Sequence, residues 1–309
     1  MARVALVLGA GGTLGWVYHL GVVEGVRAVM GREPAHAARI IGTSAGGAIA
    51  ASVLAGSTTD EILASITTGP TETEMAEMRA SMSEFRRPTR WLRPAAPGLI
   101  RSGKPGLIGV GLLPPGVFPT APLRKFPVGH ESVPWPASLW IPAVRLDDGE
   151  LVVFGRDIID VALIDAVEAT AAVPVMFRPK HLNGHRYVDG AVRSATNADL
   201  LLDDGHYDAV LISSPMSRPG RGVIRRRARR QLRREVEALR AAGSRVVVLE
   251  PDQRISALAA GFPRANPQLG PEIVANARNH AVDIMHKMLV RRDGAHRPEF
   301  GLRPNVAEN

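Results

Sequence analysis

The sequence predicts an α/β fold in which a mostly parallel sheet carries helices on its faces. Three observations lead there. Short runs of almost wholly apolar residues recur at Val4–Leu8, in "DAVLISS" and in "SRVVVLEP", as in strands covered on both sides. Two of the earliest strands lead through glycine-bearing turns into helical patterns, the strand-loop-helix rhythm of a parallel sheet. The intervening stretches place apolar residues three and four apart.

In chain order, Val4–Leu8 reads as the first strand and Gly9–Gly15 as a glycine loop. "WVYHLGVVEGVRAVM" follows, with Val17, Leu20, Val23, Val26 and Met30 at helical spacing. A second strand, Arg39–Gly42, meets Ser44, and a helix of small residues runs on towards Gly56. From about 68 to 136 prolines and glycines are frequent, and this segment reads as an insertion or lid over the site. Within it, Met75, Met78, Met82 and Phe85 form one face of a short helix. That face either packs into the core or serves as an adaptable wall over an apolar substrate. "GLIRSGKPGLIGVGLLPPGVF" is too glycine-rich to be expected as stable helix.

Two apolar runs around Asp147-Asp148-Gly149 predict a hairpin, and Ile159–Ala172 a helix ended by Pro174. "HRYVDGA" is a strand entering a turn. An arginine-rich helix at about 221–242 carries Ile224, Ala228, Leu232, Val236 and Leu239 on one apolar stripe. The final helix shows Ile273, Ala277, His280, Ile284 and Met288 on another. No repeat and no break into two domains is evident, so residues 1–309 read as a single domain.

Composition narrows the function. The chain has 309 residues, 45% of them hydrophobic, and no cysteine, which excludes disulfides and thiol catalysis. The net charge of +8 is local: residues 225–234, "RRRARRQLRR", carry seven arginines and no acid. That segment reads as a docked surface helix with a solvated face, or as a patch drawn to anionic membrane through Arg225, Arg226, Arg229, Arg230 and Arg233. Without interleaved aromatics, no nucleic-acid partner is expected. No run approaches the roughly 20 apolar residues of a membrane span. The start is better explained as a buried strand than as a leader. A cytoplasmic protein, peripheral at most to a membrane, is the expectation.

Chemistry concentrates at "RIIGTSAGGA". A serine hydroxyl needs a base to become nucleophilic and must project from a sharp strand-to-helix turn. Such a turn requires very small residues two before and two after it, and Gly42 and Gly46 stand there. The alternative is a tight turn in which Ser44 caps the helix. The Gly9–Gly15 loop offers backbone N–H groups for an oxyanion at a helix start. As a dinucleotide loop it fails, because Leu14 stands where the spacing needs glycine. Asp189, at the end of the strand in "YVDGA", is the candidate base or an ordinary turn residue. His206, His280 and His286 leave a Ser-His-Asp arrangement open.

Together "GAGGTLG", "GTSAGG" and "DGA", in that order, resemble the patatin-like phospholipase family. The resemblance extends to "EATAAVPVMFRP" and the "DDGELVVF" hairpin, and covers about residues 4–215. It implies a three-layer α/β/α sandwich and a Ser–Asp dyad. Ser44 would be the nucleophile and Asp189 the base, with Gly11 and Gly12 forming the oxyanion hole. Gly9, Gly15, Gly42, Gly46 and Gly190 would be the motif glycines. The implied reaction is hydrolysis of a lipid acyl ester without metal or cofactor. The same acyl-enzyme would serve transfer to an alcohol, and a non-catalytic lipid-binding protein is the alternative from another class. Three positions depart from the pattern: Ala10 replaces a common glycine, Leu14 a basic residue, and Ala191 follows Asp189-Gly190. For the dyad to work, Asp189 should be shielded from water, raising its pKa, and lie within hydrogen-bond reach of Ser44.

Overall fold

The structure, a computed structural model, describes residues 2–31, 33–69, 71–89, 96–128, 134–218, 222–260, 262 and 266–290. Parts of the expected insertion (70, 90–95 and 129–133) and the first residue expected of the arginine helix, 221, lie outside the described residues.

Eight strands form one mixed sheet: β1 (Val4–Leu8), β2 (Arg39–Gly42), β3 (Leu139–Arg145), β4 (Leu151–Phe154), β5 (Lys180–Leu182), β6 (His185–Asp189), β7 (Ala209–Ser213) and β8 (Arg245–Leu249). Their order is β5-β6-β3-β2-β1-β7-β8, with β4 also paired to β3. The five strands from β3 to β8 in that order are parallel. β4 and β6 run antiparallel to β3, and β5 antiparallel to β6.

Alternation along the parallel strands divides the core in two. Leu6, Leu8, Ile40, Leu139, Ile141, Leu211, Val247 and Leu249 face one cluster, together with α1 (Gly12–Met30), α2 (Ala45–Leu54), α7 (Leu163–Thr170) and α10 (Gly270–Val290). Ala5, Val7, Ile41, Trp140, Val210, Ile212 and Val246 face the other, under α8 (Val223–Ala241). Both faces are therefore covered, which is why these strands read as unbroken apolar runs. The result is an α/β/α sandwich.

Several expectations shift in detail. The methionine face lies on α4 (Glu72–Phe85), but it does not pack into the core: Met75 and Met82 are 40% and 41% exposed. Contact there runs through Phe85, whose ring lies 5.8 Å from that of Phe118. The glycine-rich stretch does contain helix, as two short pieces, α5 (Pro97–Arg101) and α6 (Pro105–Gly111). Each begins with proline, already set at a helical φ. Burial of Leu99 and Leu107 against Val144, Leu146 and Val188 outweighs the weak propensity. On α8, Ala228, Leu232, Val236 and Leu239 are buried as expected, but Ile224 is 71% exposed because the first turn extends past the packed face. On α10 the buried line is Ile273-Ala277-Ala281-Met285 with Val274. His280 and Ile284 are half-buried at its edge, and the side chain of Met288 lies outside the described residues.

One feature of the sheet positions the site. The Ile40 N–H donates to the Ser138 carbonyl, and the Leu146 N–H to the Arg186 carbonyl. Residues 138 and 146 are separated by an even number, so these bonds leave the same edge of β3. β2 and β6 therefore meet end to end along that edge. The break between them falls at Pro142, which has no N–H to leave unpaired.

Candidate active site

Ser44 follows β2 and immediately precedes α2, with φ 56° and ψ −119°. A serine at positive φ is strained, and packing must hold it there. A Cβ on Gly46 would overlap the Leu8 carbonyl oxygen, and one on Gly42 would sit 2.7 Å from Gly47 Cα. Both small positions are thus demanded by backbone crossing backbone. The Ser44 side chain makes no helix-capping bond, contrary to the tight-turn alternative.

Asp189 ends β6 and is 3% exposed; Ser44 is 7% exposed. The Asp189 carboxylate accepts the Ala191 N–H at 2.8 Å, and the Ser44 hydroxyl lies near enough to favour the ionised form. Burial pushes its pKa up to about 7, against the opposing pull of those two donors. The pair meets because the ends of β2 and β6 converge across the break at Pro142.

The end of α7 fixes both backbones. The Ser44 N–H donates to Thr170 Oγ1 at 3.0 Å, and the Thr170 hydroxyl donates to the Pro142 carbonyl at 2.6 Å. Two residues on, the Ala172 carbonyl accepts the Asp189 N–H at 3.1 Å. The segment "TAA" therefore ties the serine, the break in the sheet and the aspartate together.

The glycine loop lies between β1 and α1. The Gly9 N–H donates to the Ser213 carbonyl and the Ala10 N–H to the Ala195 carbonyl. Gly11 caps α1 and Gly12 has φ 58°. The N–H groups of Gly11 and Gly12 donate to no other group among the described residues. The loop stands beside the serine turn, since a Cβ on Gly15 would sit 3.0 Å from that of Ala45. β1 has β2 on one side and β7 on the other, so the loop tops the switch point of the sheet, where such folds bind ligands. Leu14 is buried in the core.

Besides Thr170, three buried side chains escaped the sequence reading. His19 bridges β1 and β7: Nε2 donates to the Gly9 carbonyl at 2.7 Å and Nδ1 accepts the Ser213 hydroxyl at 2.8 Å. Burial lowers its pKa to about 4, so it is neutral. Asn197, at φ 51°, donates to Thr43 Oγ1 and to the carbonyls of Ser194 and Gly190. Glu235 of α8 accepts from the Ser194 and Thr196 hydroxyls and the Ala198 N–H, and burial raises its pKa. Each acts through a residue far away in the chain. The histidines that sequence left open lie elsewhere. His280 Nε2 donates to the Glu250 carbonyl, His206 Nδ1 to the Ala242 carbonyl, and His286 is exposed. Among the described residues no group of His, Asp and Glu is arranged to hold a metal ion, and no helix is long and apolar enough to cross a membrane.

The family described as patatin-like phospholipase matches residues 6–202. Among curated proteins no sequence matches significantly. Among solved structures, VipD from Legionella pneumophila is similar at 10% identity and a TM-score of 0.42, over 92% of this chain and 66% of that one. The type III effector protein ExoU is similar at 14% identity and a TM-score of 0.40, over 93% of this chain and 53% of that one. The chain thus spans under two thirds of either protein.

Proposed function

The chain belongs to the patatin-like phospholipase family, and from that premise we propose that it is a serine-dependent lipid acyl hydrolase working through Ser44 and Asp189. The observation that carries this reading is a buried carboxylate, its pKa raised to about 7, near enough to the buried Ser44 side chain for the hydroxyl to oppose that rise. An ordinary aspartate near 4 is a poor acceptor for a serine proton, and one near 7 is far better matched.

In this reading Ser44 Oγ attacks the ester carbonyl carbon as its proton passes to Asp189. The N–H groups of Gly11 and Gly12 receive the oxyanion, aided by the start of α1. When the tetrahedral intermediate collapses, the C–O bond to the alcohol breaks and Asp189 returns the proton to that oxygen. Asp189 then takes a proton from water, whose oxygen attacks the acyl-enzyme. The carboxylic acid leaves as Ser44 recovers its proton. Thr170 and the Ala172 carbonyl hold the two partners in register, and neutral His19 braces the oxyanion loop. Contact of the arginine-rich helix α8 with anionic membrane would bring the enzyme to its substrate.

The test is labelling by a fluorophosphonate probe together with turnover of a lipid panel. Wild type should label and turn over. Ser44→Ala should not label, and its turnover should fall by about a thousandfold or more. Lack of labelling in the wild type would favour a non-catalytic lipid-binding role.

A further inference from the structure

α8 leaves the sheet at the same end as Ser44, because β1, β2 and β7 are parallel and α8 follows β7. Its first turns stand beside the residues that follow Asp189. Ala228 packs with Ala10 and Ala195, and the Arg227 guanidinium donates to the Val192 carbonyl at 3.0 Å. There the buried stripe runs out into solvent: the consecutive Val223 and Ile224 are 72% and 71% exposed. Val173 and Met176 are also exposed, just past the Ala172 carbonyl that holds Asp189.

The outward side of the same helix is a ladder of charge. Arg226, Arg230 and Arg234 recur at four-residue intervals on one face, and their side chains make no hydrogen bond or ion pair among the described residues. With Val223, Arg227 and Gln231 they line an open cleft of about 480 Å³. Like charges four apart destabilise a helix, and arginines in its first turns oppose the dipole. The arrangement is unfavourable in isolation and becomes favourable against a surface of negative charge. A nucleic acid would satisfy the arginines but would leave two large apolar side chains unused. An anionic bilayer satisfies both, with charge at the phosphates and apolar side chains at the acyl boundary.

We propose that the N-terminal half of α8 docks this protein on an anionic lipid bilayer. Val223 and Ile224 enter the headgroup–acyl boundary, Arg226, Arg230 and Arg234 hold lipid phosphates, and the Ser44 end of the sheet faces the membrane. This rests on the lipid-ester reading of the site and shifts the contact towards the outward face: Arg225 and Arg229 lie half-buried on the other flank, where Arg225 stands near Arg218.

The test is co-sedimentation of the full chain with phosphatidylcholine vesicles, with and without phosphatidylglycerol, at low and raised salt. Wild type and Ser44→Ala should both sediment with the anionic vesicles and remain in solution with the neutral ones. Combining Arg226→Gln, Arg230→Gln and Arg234→Gln should weaken partitioning about a hundredfold. Val223→Ser with Ile224→Ser should weaken it about tenfold and leave a remainder that salt releases fully. Removing equal charge elsewhere, through Arg79→Gln, Arg254→Gln and Arg278→Gln, should have little effect. Thermal melts followed by circular dichroism check that each variant is folded. The proposal is overturned if wild type ignores phosphatidylglycerol, if the α8 triple variant binds as wild type does, or if the control triple variant loses as much. Retention of duplex DNA without vesicle binding would overturn it in favour of nucleic acid. Vesicle binding without ester turnover would sink the reading of the site and leave docking intact. Turnover of a dispersed short-chain ester without vesicle binding would sink docking alone.

Discussion

α2 and α8 both follow parallel strands of one sheet and start at the same end of the molecule, yet they are built as opposites. α2 carries no charge, and its residues from Ala45 to Ser52 are all buried. α8 has seven arginines within ten residues and buries one stripe. The difference follows from what each helix supports. α2 must lie flat on the end of β1 so that the turn before it can hold Ser44 at positive φ; any side chain at Gly46 would displace it. α8 needs only enough burial to stay attached, and its outer face is free to carry charge. Substitutions around α2 should therefore damage fold and chemistry, whereas those on the face of α8 should leave the fold intact.

The largest expected effect is that of Gly46→Ala. With its methyl group forced onto the Leu8 carbonyl, the turn cannot close, and stability should fall by about 4 kcal/mol or more, measured by denaturant titration. A loss under about 1 kcal/mol would mean that the turn is not rigid, and the contrast with α8 would dissolve.

Asp189→Asn comes next. It keeps the shape and removes the proposed base, so turnover should drop about a hundred- to ten-thousandfold. In wild type, activity should rise with pH through about 7 as the carboxyl ionises, and this limb should vanish in the variant. Stability should move the other way. A carboxyl whose folded pKa lies above its unfolded value binds its proton more tightly in the folded state. Its stabilisation is therefore complete below about pH 4 and is lost as pH rises through about 7. Above that, the variant should melt higher than wild type; a lower melting temperature at pH 8 would contradict the burial argument.

How much of this was legible in the sequence depends on the range of each constraint. Gly42, Ser44 and Gly46 form a local steric code, and β1, β2 and the Asp147-Asp148-Gly149 hairpin follow from local pattern. Asp189 stood out as a candidate base because a strand end met a turn, and the resemblance then narrowed the choice between base and ordinary turn residue. Thr170 looked like the end of an ordinary helix because its partner Ser44 lies 126 residues away. Asn197 meets Thr43 across 154 residues, and His19 meets Ser213 across 194. Nothing near these residues in the chain announces those contacts. The exposure of Ile224 was hidden for the opposite reason: periodicity reveals a stripe but not where the body beneath it stops.

Thr170→Val tests one of those long-range contacts at smaller amplitude. It is nearly isosteric, strands the Ser44 N–H and leaves the Pro142 carbonyl without its donor. Stability should fall by about 1–3 kcal/mol. The serine turn would loosen without losing its proposed nucleophile, so kcat should fall about tenfold or more while KM changes little. Thr170→Ser, which keeps the hydroxyl, should restore most of the rate. Failure of that rescue would reduce Thr170 to a packing residue.

The smallest effect has the opposite sign and belongs to α8. Arg226→Glu replaces a like-charge neighbour of Arg230 with an attractive one, glutamate four residues before arginine, and puts a negative charge near the positive end of the helix dipole. Both changes favour the helix, by about 0.5–1 kcal/mol together. The variant should therefore melt slightly higher than wild type at low salt, with the gain shrinking as salt screens both interactions. A surface kept less stable than a single substitution could make it is what a helix held for its charge requires. A drop in melting temperature would mean that Arg226 is held by contacts within the protein, and α8 would then belong with α2 as a structural helix.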